Sequence, residues 1–122
     1  MKNLDGSSLS ALTFQSTDPE RLAAFYRDAV GLPLAPDQHG AIGTHYECDV
    51  QGIHFAVLKS SDRMGGPVVP VFRIDDLEAA AARVGSLGAT ALHEPIELGD
   101  GMRVITFRDP EGNGFRMIEI KA

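Results

Sequence analysis

Between Thr17 and Gly31 the chain reads TDPERLAAFYRDAVG, an amphipathic helix with both ends marked, and the architecture follows from finding that helix a second time. Thr17 can cap the N-terminus, Glu20 stands three residues on as in a capping box, and Pro19 suits the first turn. Leu22, Phe25, Tyr26, Ala29 and Val30 recur at spacings of three and four and predict one apolar face. Gly31 is a natural stop, and Pro33 prevents continuation. From Asp76 the chain reads DLEAAAARVGSLG: Asp76 as cap, Leu77, Ala81, Val84 and Leu87 as stripe, Gly88 as stop. Shifted by 58 residues, Asp18 falls on Asp76, Glu20 on Glu78, Ala23 on Ala81 and Ala24 on Ala82.

The flanking segments repeat as well. A β-like run precedes each helix, Leu9 to Gln15 and Val68 to Ile74. After the first come Leu34 to Pro36, Thr44 to Val50 and Ile53 to Lys59, the last two joined across Gln51-Gly52, a hairpin turn. After the second come Thr90 to His93, Arg103 to Arg108 and Phe115 to Ile120, with turn formers from Asp109 to Asn113 between the final two. The chain is thus expected to be one α+β domain over 1–122 built from two βαβββ modules, about 8–60 and about 68–121. A linker at about 60–67 carries Gly65-Gly66-Pro67. Two such curved sheets, each with one helix on its back, form an incomplete barrel around a central cup, a natural place for a small ligand.

Composition narrows the partners. Apolar residues make up 43% of the 122, enough for a globular core, and 11 basic against 17 acidic residues give a net charge of −6. An acidic chain without a Lys/Arg cluster argues against nucleic acid. No apolar run approaches the roughly 20 residues of a membrane span, and the start from Met1 to Ser10 is polar, unlike a signal peptide. With one cysteine, Cys48, there is no intrachain disulfide and no multi-cysteine zinc site. A cytoplasmic protein is the expectation. No Ser-His-Asp arrangement, P-loop or dinucleotide glycine pattern is present.

Residues 16–32 (STDPERLAAFYRDAVGL), Phe107 to Asn113 (FRDPEGN) and the second helix with its Leu87-Gly88-Ala89 end resemble the vicinal oxygen chelate superfamily, which includes glyoxalase I, bleomycin-resistance and extradiol dioxygenase proteins. The likeness runs from about Leu9 to Ile120. It implies the paired-module fold, homodimers and, in catalytic members, a divalent metal held by one His, Gln or Glu on each of four strands. Carried over residue by residue, those positions fall on Ala11, Ala56, Val69 and Arg116. Alanine, valine and arginine cannot bind a divalent cation, so no cofactor is expected; a divalent metal is the alternative. Whether the chain is an enzyme is left open.

Arg116 is the informative departure, because a guanidinium at the place of a metal-binding carboxylate suits a carboxylate, phosphate or enolate-like ligand group. His54 shares the strand parity of Ala56 and is expected to face the cup as a hydrogen-bond donor or base. Arg103, after the Gly99-Asp-Gly lead, and the aromatic Tyr46 complete the predicted ligand set. His45, Glu47 and His54 are the alternative metal cluster, since His45 and Glu47 share a strand face and His54 lies across the hairpin. His93 reads as an exposed residue at a strand end, and Glu119 as opposite in facing to Arg116. Cys48 reads as a small buried hydrophobe. The leading expectation is a metal-independent, bleomycin-resistance-like protein that holds a small molecule in the cup, an anionic group facing Arg116. The alternative is a glyoxalase-type lyase, isomerase or dioxygenase with an atypical or substituted metal site. A third is an interaction module whose cup is filled by its own side chains.

Overall fold

The computed structural model describes residues 8–39 and 43–121; residues 1–7 of the polar start, 40–42 and 122 lie outside it. The first module is β1 (Ser8–Ser16), α1 (Pro19–Ala29), β2 (Ala35–His39), β3 (Gly43–Val50) and β4 (Ile53–Lys59). The second is β5 (Val68–Ile74), α2 (Leu77–Ser86), β6 (Thr90–Ala91), β7 (Ile96–Gly99), β8 (Met102–Arg108) and β9 (Gly114–Ile120). Among the described residues the strands form one mixed sheet in the order β2-β3-β4-β1-β5-β9-β8-β6, with β7 also on β8, and it curls into a half-barrel.

The repeat is visible in the pairing. β1 runs parallel to β4, and β5 runs parallel to β9, as each helical crossover requires. The modules join where β1 and β5 pair antiparallel. The second module breaks its edge strand: β6 and β7 lie end to end along β8, separated around Pro95, which cannot donate to a ladder. β7 was not expected, because Glu94-Pro95 and Gly99-Asp-Gly bracket a run too short to read as a strand.

Asp18, not Thr17, caps α1, its carboxylate accepting from Arg21 N–H at 3.2 Å, with Pro19 in the first turn; Asp76 caps α2 as expected. Each helix covers its own core on the convex side. α1 packs through Ala23 on Leu34, Cys48 and Val57; α2 packs through Leu77 and Ala80 on Ile74, Ile105, Phe107 and Met117. The stripes are narrower than predicted: Phe25, Val30 and Leu87 are 58%, 63% and 72% exposed. Alanines at Ala23 and Ala80 bring the helices close, so one row of small residues takes the contact and the flanking apolar positions stay outside. Among the described residues no helix is long and apolar enough to cross a membrane.

Candidate functional site

The concave face holds a cavity of about 470 Å³, so the cup is not filled by its own side chains. Its walls are mainly aliphatic, from Ala11, Ala56, Leu58, Val71, Leu98, Met102, Val104, Ile118 and Ile120. Besides Ser10, at the register shift in β1, two polar groups interrupt that lining: Arg116 with Thr13, and the set His45, Glu47 and His54. Their placement follows from register, since alternate residues of a strand share a face. The row through Arg116 crosses Val71 on β5, Ala11 on β1 and His54 on β4. The next row runs Glu47, Ala56, Thr13 and Val69.

These rows test the metal positions implied by the resemblance. Ala11, Ala56 and Arg116 line the cup as counted, whereas Val69 is fully buried and Val71, two residues on, lines it instead. Either valine is an alkyl group, and so are both alanines. The donor set therefore does not fit a metal on those four strands.

Arg116 is half-buried, and burial pulls its guanidinium below the usual arginine value. All its partners among the described residues are neutral oxygens. Nε–H donates to Thr106 Oγ1 at 3.0 Å, Nη1–H to Thr13 Oγ1 at 2.9 Å and Nη2–H to Gln15 Oε1 at 3.0 Å. Each acceptor uses its own donor elsewhere: the Thr13 hydroxyl on Val69 O at 2.9 Å, the Gln15 amide on Met64 O and Gly66 O. The Thr106 hydroxyl lies 2.9 Å from His93 Nε2, which also accepts from Thr106 N–H, while His93 Nδ1–H donates to Glu94 O at 2.7 Å. That pattern turns three oxygen lone pairs toward the guanidinium. A guanidinium has five N–H donors, and three are used here, so one remains on each Nη nitrogen.

Opposite, Glu47 Oε2 lies 3.0 Å from His45 Nε2 and 3.2 Å from His54 Nε2, and His54 Nδ1 lies 2.9 Å from Asp49 Oδ1. His45 is 2% exposed and His54 sits at the rim. The three residues of the alternative metal cluster are thus brought together in the cup. Among the described residues, however, the set of His, Cys, Asp and Glu whose ligand atoms all come within 4.8 Å of one another is Asp76, Glu78 and Glu119, outside the cup.

Two predicted ligand residues lie elsewhere. Tyr46 stands between His45 and Glu47 on β3, so alternation turns it to the convex side, where it packs on the α1 core. Arg103 leaves the cup for the outer side of β8. It donates to Glu119 Oε2 at 2.7 Å and lies 2.7 Å from Glu78 Oε1, while Glu119 Oε1 accepts from Leu77 N–H at 3.2 Å. The hydrogen bond from Arg103 holds Glu78 down at about 2 and also lowers Glu119; the two carboxylates in turn raise Arg103. A charged depression there of about 660 Å³ is thus crossed by an ion-paired strap. Glu119 does face away from Arg116. His93, expected to be exposed, is instead tied to Thr106. Cys48 is buried, and burial raises its thiol. Sequence reasoning missed Thr13, Gln15 and Thr106, because neutral polar residues on strands carry no signal until their row is known.

The comparisons agree with this fold. Residues 11–118 match the family model described as a glyoxalase-like domain. A protein of Mycobacterium bovis, and its counterpart in Mycobacterium tuberculosis, both provisionally named glyoxylase CFP32, are 29% identical over 114 residues, 83% of this chain. The chain spans 40% of the length of those curated relatives. Among solved structures, hypothetical protein BH1468 of Bacillus halodurans superposes with a TM-score of 0.74 at 15% identity, covering 96% of each chain. Methylmalonyl-CoA epimerase of Mycobacterium tuberculosis gives 0.72 at 16% identity, covering 100% of this chain and 94% of its own. At such identities these likenesses speak for the fold alone. Family match, paired modules and cup together show that the chain belongs to the glyoxalase-like domain family of the vicinal oxygen chelate superfamily.

Proposed function

We propose that the domain is a metal-independent small-molecule binding protein of the bleomycin-resistance-like kind, with an anionic ligand group held by Arg116. One observation carries the reading: a half-buried guanidinium in an aliphatic cup, with only neutral partners among the described residues and one N–H left on each Nη. A cation moved out of water is costly unless compensated, and a carboxylate or phosphate supplies both the charge and two oxygens. The cavity lies within the range of small-ligand sites. The proposal also takes the domain as a cytoplasmic homodimer, the pairing that the resemblance implies. The test is thermal unfolding with benzoate, since a ligand that binds only the native state raises its melting temperature. Benzoate is expected to raise the Tm of the wild type and leave that of Arg116→Met unmoved; an equal rise in both contradicts the proposal.

The second reading, a glyoxalase-type lyase, isomerase or dioxygenase with an atypical metal site, is favoured by Glu47 sitting between His45 and His54 in the same cavity. These are side chains of the type that hold a divalent ion. One ion per chain by elemental analysis, lost in Glu47→Ala, would carry that reading over the first.

A further inference from the structure

The cup has a second pole, and the two poles together specify a class of ligand. Arg116 marks one end. At the other, Glu47 presents a carboxylate with His45 and His54 beside it. Between them the floor is made small: Thr13 on β1, which receives the guanidinium, is followed across the sheet by Ala56 and then by Glu47. In the adjoining row Ala11 is equally small, and His54 beyond it carries its ring up to Glu47. Thr13 and Glu47 stand two strand steps apart, about 10 Å between backbones at about 4.8 Å per strand, with the methyl group of Ala56 between them. The floor over Ala56 leaves room for an apolar ligand segment between the two poles. That room matches one aromatic ring or a short alkyl chain.

We propose that the ligand is amphoteric: a carboxylate on Arg116, an apolar middle over Ala11 and Ala56, and an ammonium or similarly strong hydrogen-bond donor directed at Glu47. This rests on the reading of Arg116 as the anion-binding group and adds the opposite requirement at the far end. A carboxylate in a low-dielectric cup strengthens its attraction for a donor that reaches it and disfavours a second anion. A ligand with an anion at both ends is therefore selected against, as is an amine lacking the carboxylate.

Three para-substituted probes separate the requirements without any variant: 4-(aminomethyl)benzoate, 4-methylbenzoate and terephthalate, each titrated calorimetrically into the wild-type chain. The ammonium probe is expected to bind at least about tenfold more tightly than the methyl probe, since a charge-assisted hydrogen bond is worth about 1.5–3 kcal/mol. Terephthalate is expected to bind more weakly than either. In Glu47→Gln, which keeps the shape of the side chain, the gap between ammonium and methyl probes is expected to close to within about twofold. If the ammonium and methyl probes bind the wild type equally well and both lose affinity in Arg116→Met, the second pole is refuted while the anion site stands. If no carboxylate binds, or binding is indifferent to Arg116, the reading on which this one rests fails with it.

Discussion

Arg116 is a cation drawn into an aliphatic cup, and the residues around it are arranged to keep it aimed rather than to neutralise it. Thr13, Gln15 and Thr106 each spend their own donor on another group and turn a lone pair to the guanidinium. Arg116→Met leaves three acceptor lone pairs unpaired, a cost offset by removal of the desolvated charge, so little net loss of stability is expected. The Tm is expected to stay within a few degrees of wild type by calorimetry. His93 acts one step further back, accepting from Thr106 and so fixing which way its hydroxyl points. In His93→Ala that hydroxyl is released, and benzoate affinity is expected to fall about 2- to 10-fold, the worth of one neutral hydrogen bond. Unchanged affinity by titration would remove His93 from the account. Neither effect was legible in the sequence, where His93 beside Glu94-Pro95 reads as an exposed residue at a strand end. Its partner Thr106 is 13 residues away and is recognised only once β8 is paired.

At the scale of elements, strand alternation explains both what was legible and what was not. Ala11, His54 and Arg116 were placed in the cup from parity and from motifs flanking their strands, and the register confirms their row. Val69 failed because the count back from Asp75 stopped one pleat away from Val71. Tyr46 failed although its neighbours His45 and Glu47 were known candidates, and alternation alone would have turned it outward. Arg103 follows the same rule, since Met102 and Val104 on either side of it line the cup. On the convex side Glu119 on β9 and Glu78 on α2 meet it from two other elements. This strap ties α2 to β8 and β9, and its pH dependence follows from the sign of the shifts. Both carboxyls are lowered in the fold, chiefly by the hydrogen bond from Arg103, so their stabilisation is present above the ordinary Glu value and lost as pH falls through the folded one. The Tm is expected to drop between about pH 5 and about pH 2. In Arg103→Met that drop is expected to be shallower; an unchanged acid profile would show that the strap contributes nothing.

At the scale of the whole molecule, the duplicated unit read from two helices 58 residues apart is the pattern of the sheet itself. What the repeat could not show is how the linker joins its halves. Residues 60–67 are pinned between modules: Gln15 of β1 donates to Met64 O and Gly66 O, and Gly65 lies against the start of β9. A Cβ on Gly114 would land on the Gly65 carbonyl, so this close approach requires glycine. Gly114→Ala is expected to destabilise by about 1–3 kcal/mol in urea unfolding, whereas a change below about 0.5 kcal/mol would mean that the linker gives way freely. The same Gln15 contacts Arg116, so the seam between modules is also one wall of the site. The central claim is that this wall, and not a metal, holds the ligand. The most direct measurement is calorimetric titration of 4-(aminomethyl)benzoate into wild type and Arg116→Met, each with and without prior chelator treatment. Binding to the wild type is expected to be indifferent to chelator and to weaken about 10- to 100-fold in Arg116→Met. Binding abolished by chelator, or equal in the two proteins, would contradict the claim.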